Sequence, residues 1–208
     1  MLLTDELIRI FNFIGGLVCH QRPERTLLVG GHYLPVCARD TGAYIGLVLG
    51  YTLVLFMRKK EATGPPHLHA TLLMVLPLMV DSIGQALGLW TSTNDLRLMT
   101  GLQFGAAIAP LLVYALSLPA TKGRVPIMRK VQLQNAILDS KDYWLDAKAL
   151  GIGVAVSVVL FLAIRSLDGS QFSLFYWLLS VPIVAMIIGH FFVLPVLLIV
   201  GLLRRKVA

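Results

Sequence analysis

Both cysteines of the chain, Cys19 and Cys37, lie in one stretch, C-H-Q-R-P-E-R-T-L-L-V-G-G-H-Y-L-P-V-C-A-R-D-T-G-A-Y-I-G, from 19 to 46. The same stretch holds His20, His32, Arg22, Arg25, Arg39, Glu24 and Asp40. Thiolate, imidazole and carboxylate are the ligand types that zinc takes. Cys19, His20 and Cys37, with Asp40 or His32 as a fourth, therefore form a candidate site for zinc or another divalent metal. The spacing is that of no familiar zinc motif; Cys37-x-x-Asp40 has only the outline of C-x-x-C. A plainer reading stands beside it. Outside the cytoplasm, two cysteines this close in sequence readily form a disulfide that staples the loop. A thiol redox role is a third reading, without a C-x-x-C to support it.

The arginines suggest a second chemistry. Arg22, Arg25, Arg39 and, later in the chain, Arg97 would surround one region. Guanidinium groups suit phosphate or carboxylate because their donors form a planar fork. The alternative is structural pairing with Glu24, Asp40 and Asp95. Asp81 lies inside an apolar run, where a carboxylate is expensive and a functional role is the first hypothesis. It would act as a general acid or base, or as the buried counter-ion of an arginine. Gln85 lies one helical turn from it on the same face. Gln85 and Asn94 are polar groups of the kind that join membrane helices, and both would also reach a bound substrate. His190 stands alone in an apolar run and reads as a packing histidine.

The elements that would position these groups are membrane helices. The chain has 208 residues, 57% hydrophobic and 14% charged, against about 25% charged in soluble domains. Its mean hydropathy is +0.78. The apolar residues gather into runs near the roughly 20 residues that a bilayer crossing needs. The fold expected is all-α: a polytopic integral membrane helical bundle of five to six transmembrane helices, in a single domain over 1–208. Runs at 41–57, 70–90, 98–118 and 149–164 read as spans. Residues 7–19 are too short for a full one, so a first helix would be tilted or half-buried. The run 172–203 exceeds a bilayer core and should tilt, project or break near Gly189 to Pro195. Asp5 and Glu6 argue against a signal peptide, and Val18 before Cys19 against a lipoprotein site. Residues 121–148 carry Lys122, Arg124, Arg129, Lys130, Lys141 and Lys148, with apolar residues at helical spacing. They read as a cytoplasmic interfacial amphipathic segment.

Charge gives an orientation. The net charge is +7, which in a lipid-bound chain sets topology and meets anionic lipid rather than nucleic acid. With alternating helices, 13 of the 18 Lys and Arg fall on one side, which the positive-inside rule makes cytoplasmic. The 19–46 stretch and the 91–97 turn then share the opposite face, so two polar clusters distant in sequence, 19–46 and 81–97, would form one outward-opening pocket.

At these residues the chain resembles a family of prokaryotic membrane proteins, the domain of unknown function two thousand and eighty-five. The resemblance rests on Cys19-His20-Gln21-Arg22-Pro23-Glu24-Arg25-Thr26 and Pro35-Val36-Cys37-Ala38-Arg39-Asp40-Thr41-Gly42-Ala43-Tyr44. It continues at Asp81-Ser82-Ile83-Gly84-Gln85 and at Ser92 to Gly101. It covers about 10–115. Asp40 stands where the family pattern has a third cysteine, and Ser82 where it has a glycine. The resemblance implies fold and site, not a reaction.

The expectation is a multi-pass cell-membrane protein with an extracytoplasmic-facing polar site. Asp81 and Arg97 are its catalytic candidates, and Arg22, Arg25, Arg39, Gln85 and Asn94 its substrate-binding ones. Cys19, His20, Cys37 and Asp40 are the metal candidates. As a metal-assisted enzyme it would act on an anionic or phosphorylated, lipid-borne substrate. The rivals are a small-solute or ion transporter, against which the lack of an inverted repeat counts, and a structural subunit of a membrane complex.

Overall fold

A computed structural model describes residues 2–58, 65–117 and 145–195. Among these residues six helices form: α1 (Leu2–Gly16), α2 (Ala38–Met57), α3 (Leu68–Ala86), α4 (Asn94–Ser117), α5 (Ala147–Leu167) and α6 (Ser173–Ile188). Five of them, α2 to α6, are long and apolar enough to cross a membrane. The protein is an all-α, multi-pass membrane protein. The 15 residues of α1 measure about 22 Å at 1.5 Å each, short of a bilayer core of about 30 Å. α1 exposes Leu7, Ile10 and Phe13 and leans on α6, with the Phe11 and Trp177 rings 5.5 Å apart.

The tightest packing joins α2 to α4. Gly42, Gly46 and Gly50 of α2 face Leu98, Leu102 and Ala106 of α4, and Gly101 and Gly105 of α4 face Arg39 and Ala43 of α2. Contacts advance in the same direction on both helices, so the two run parallel. A Cβ at Gly42, Gly46, Gly101 or Gly105 would collide with a carbonyl oxygen of the partner helix. The backbones therefore meet directly, as small residues at four-residue spacing permit between membrane helices. α3, which joins them in sequence, runs in the opposite direction and packs on α4.

Several elements differ from the hydropathy reading for local reasons. α3 stops at Ala86 rather than Trp90, because Gly88 takes φ +72° and Leu89 N–H turns back to the Gly84 carbonyl at 2.9 Å. This is a left-handed helix stop of the kind glycine favours. Asp146 caps α5, accepting from Ala149 N–H at 2.9 Å, so 147–148 belong to a span instead of an interfacial segment. Leu145 is fully buried. The rest of the segment expected over 121–148, up to residue 144, lies outside the described residues. Gly30 and Gly31, both at positive φ, close a two-stranded hairpin, β1 (Leu28–Val29) and β2 (His32–Tyr33). A two-residue turn with glycine at both centres suits such a hairpin. α6 passes at Gly189–Val193 into a π-helical turn. Pro195 has no N–H for the Phe191 carbonyl and interferes with regular α-helix there.

The hairpin fixes which helix ends share a face. Leu28 N–H donates to Asp168 Oδ1 at 3.0 Å, and Gly31 N–H to the Ser170 carbonyl at 3.2 Å. The 19–37 loop thus sits on the α5–α6 turn. At the other end, His67 N–H donates to the Leu145 carbonyl at 2.9 Å, joining the starts of α3 and α5. The starts of α2, α4 and α6 and the ends of α3 and α5 form one face.

Candidate functional site

Arg39 lies in the first turn of α2, held against α4 by the glycine seam. Its Nη2 ion-pairs with Asp81 Oδ2 of α3 and reaches Gln85 Oε1 at 3.4 Å. Asp81 is almost wholly buried. It also accepts from Ser92 Oγ at 3.0 Å and from Trp90 Nε1 at 3.5 Å. Trp90 gets there because α3 stops early: the chain doubles back and lays the indole over Gly84, where a side chain would collide with the ring. Two carboxylate oxygens therefore meet three donors. That geometry suits the counter-ion role among those expected of Asp81. Arg39 Nε is buried with no hydrogen-bond partner.

Arg97 is different. It lies one turn into α4, is 7% exposed, and donates from Nη1 to the neutral Asn94 Oδ1 at 3.0 Å. Among the described residues it forms no ion pair. Arg25 and Arg39 are near enough to repel it electrostatically, and Asp81, already paired with Arg39, is near enough to offset part of that repulsion. Buried charges are ordinarily paired, and the pairing expected from the acids nearby is absent. Asp95 pairs instead with Arg165 at 2.6 Å, and Glu24 offers its backbone carbonyl to Asn94 Nδ2 at 3.3 Å. The start of α4 adds the positive end of a helix.

The sulfur chemistry is on the other side of the same α2 turn. Cys19 Sγ, Cys37 Sγ and an Asp40 carboxylate oxygen all lie within 4.8 Å of one another. Cys37 precedes α2 and donates from Sγ to Asp40 Oδ2 at 3.2 Å, while its N–H donates to Cys19 Sγ at 3.2 Å. Both cysteines are free thiols. The hydrogen bond between their side chains draws the Cys19 thiol below its usual range. The same bond, with burial and the Asp40 charge, pushes the Cys37 thiol up.

Not every candidate converges. His20 and His32 are exposed and outside the Cys19, Cys37 and Asp40 group; His32 rests edge-on against Tyr176. Arg22 is exposed, whereas Arg25 is half-buried. His190 lies far along α6, with Nε2 2.6 Å from Tyr51 Oη and Nδ1 2.8 Å from the Met186 carbonyl. Other contributors escaped the sequence reading. Gln21 takes φ +49° and donates from Nε2 to the Asn12 and Pro35 carbonyls at 2.6 and 2.7 Å. It clamps the end of α1 to the approach to α2. The sequence marks Trp90 only as the end of a span and Ser92 only as a turn residue. The seam had a signal, the repeated G-x-x-x-G from Gly42 to Gly50 and from Gly101 to Gly105.

Beside the ion pair, α3 and α4 leave a cavity of about 360 Å³. Leu73, Leu76, Val80 and Leu96 wall it, and Asp81 and Trp90 close its polar end. Leu73 and Val80 are exposed at span depth, so the cavity opens sideways, where hydrocarbon would surround it.

The family model described as Predicted membrane protein (DUF2085) matches residues 19–111. An uncharacterized protein of Methanothermobacter thermautotrophicus is 43% identical over 94 residues, which are 45% of this chain and 83% of that protein. An uncharacterized protein of Methanocaldococcus jannaschii is 35% identical over 92 residues, 44% of this chain and 59% of that protein. The chain thus spans a little over half the length of the second relative. No solved structure matches. The family match takes in Cys19, Cys37, Arg39, Asp40, Asp81 and Arg97 together.

Proposed function

The chain belongs to the DUF2085 family of predicted membrane proteins, and from that premise we propose that it binds the anionic headgroup of a membrane-borne molecule. One observation carries the reading: Arg97 is a buried cation in no direct ion pair among the described residues, beside Arg25 and Arg39, and the nearby carboxylate, Asp81, is already paired with Arg39. Leaving such a charge unpaired costs several kcal/mol. A phosphate or carboxylate seated between Arg97, Arg25 and the orphaned Arg39 Nε would offset that cost. Asn94 and Gln85 orient the two guanidinium groups. Asp81 is the counter-ion that fixes Arg39. The cavity supports a lipid-borne ligand over a free ion, since it offers hydrocarbon a berth that ends at Asp81 and Trp90, next to the Arg39 paired with Asp81. The face is extracytoplasmic in this reading, because the Lys and Arg excess lies at the opposite helix ends.

The test uses the full-length protein in neutral detergent, titrated with short-chain phosphatidic acid and, separately, with inorganic phosphate. Intrinsic tryptophan fluorescence reports the Trp90 end of the cavity. Phosphatidic acid should bind, and Arg97→Gln should weaken it by about tenfold or more, the loss of one charge-assisted hydrogen bond of roughly 1.5–3 kcal/mol. Equal binding of phosphate would assign the site to a soluble anion. Unchanged affinity in Arg97→Gln would overturn the reading.

A further inference from the structure

We infer that Cys19, Cys37 and Asp40 form a three-ligand site for a divalent metal of the zinc class, with one coordination position open. The inference is independent of the anion site. It starts from three groups of the right chemistry whose ligand atoms already lie within 4.8 Å of one another. Zinc bonds of about 2.0–2.3 Å hold ligand atoms of a tetrahedron roughly 3.3–3.8 Å apart. Cys37 Sγ and Asp40 Oδ2, at 3.2 Å, are within a few tenths of an ångström of that spacing.

The backbone around them is fixed. Cys37 immediately precedes α2 and Asp40 follows it by three residues, so both point to one side of the first turn. Cys19 N–H donates to the Gly15 carbonyl at 2.9 Å, which keeps it on the end of α1. The Gln21 clamp holds that end against Pro35, two residues before Cys37. The Cys37 N–H aimed at Cys19 Sγ is the kind of donor that supports a metal-bound thiolate. Asp40 forms no ion pair among the described residues. A cation between the three groups would supply its missing charge, whereas a disulfide would remove its Cys37 donor and give nothing in return. His20 is exposed outside the group. The fourth position falls to water or a ligand, as at metal centres that do chemistry rather than merely staple a fold.

The experiment takes full-length protein purified without chelator, then stripped and titrated with zinc and with cobalt. Elemental analysis should find one metal per chain. Cobalt should give the thiolate charge-transfer and intense visible bands of a tetrahedral sulfur-ligated ion. Asp40→Ala should lower affinity by more than the roughly 10–100-fold that loss of an outer-shell partner brings. Asp40→Cys keeps three ligands and should bind zinc more tightly, which guards against a variant that merely fails to fold. Recovery of Cys19 and Cys37 as a disulfide overturns the inference. So does reduced protein that takes up no metal, or uptake indifferent to both Asp40 variants.

Discussion

α4 has two unlike sides. Toward α2 it meets its neighbour backbone to backbone, across Gly42, Gly46, Gly101 and Gly105. Toward α3 it leaves a cavity of about 360 Å³ with Asp81 at one end. The first side admits no added atom, and the second has room for a chain of them. Both sides end at the same membrane face, where Arg39 on α2 and Arg97 on α4 are held at a fixed separation. The seam is thus the scaffold that makes the open side precise. Sites built on such rigid elements hold their groups better than sites on loops.

The largest effect should come from closing that contrast. Gly46→Leu puts a branched side chain where a Cβ alone would collide with the Leu102 carbonyl. Ordinary overpacking costs about 1–3 kcal/mol, but here the obstacle is backbone on both sides and cannot rotate away. No monodisperse folded protein is expected by size-exclusion chromatography. Gly151→Leu is the control, since a Cβ at Gly151 on α5 meets nothing within 4 Å. Equal yield and melting temperature for the two variants would sink the idea that the seam organises the bundle.

Next in size is Asp81→Asn. It leaves Arg39 with a neutral partner in a buried setting, and breaking such a pair from one side costs about 3–5 kcal/mol. The readout is thermal unfolding in detergent. Adding Arg39→Gln to Asp81→Asn removes the stranded charge and should recover much of the loss. If the double variant is no better than the single one, Asp81 is held by Ser92 and Trp90 rather than by the arginine.

The two sides of α4 differed in how far the sequence disclosed them. Hydropathy located five spans, because a run such as 149–164 has no soluble counterpart. Alternation of the helices put the 19–46 and 81–97 clusters on one face, and Arg39 does reach Asp81 there. Helix ends were less legible. The stop at Gly88 depends on a left-handed backbone angle that a glycine permits but does not compel. With a helix continued to residue 90, Trp90 would sit at the end of the span; the stop turns it against Asp81 instead. Which arginine pairs with which acid was not readable either. Arg97 and Asp95 are two apart in sequence and so lie on different faces of α4; Asp95 turns to Arg165, from a region distant in sequence. The same geometry strands Arg97.

Arg97→Gln sharpens the comparison from the open side. The substitution removes a buried charge that has only Asn94 as a hydrogen-bond partner among the described residues, so stability should hold or rise. Binding of phosphatidic acid should fall by about tenfold or more. Stability and binding thus do not fall together, and the stability outcome is opposite to that of Asp81→Asn. A large loss of stability in Arg97→Gln would mean that a counter-ion within the protein already pairs with it.

The smallest effect belongs to the rim of the same face. Asp95 and Arg165 form the shorter of the exposed ion pairs there, at 2.6 Å, with side chains 51% and 47% exposed. Pairs so open to solvent contribute about 0–1 kcal/mol. Asp95 also lies in the first turn of α4, where a carboxylate gains roughly 0.3–1 kcal/mol from the helix terminus at low salt. Asp95→Asn should therefore cost under about 2 kcal/mol, with most of the difference abolished in high salt because exposed charges are screened. Phosphatidic acid binding should rise slightly, since a negative charge near Arg97 is gone. A salt-independent loss as large as that of Asp81→Asn would mean that this rim is covered in the working protein, and that the open side of α4 extends beneath a partner.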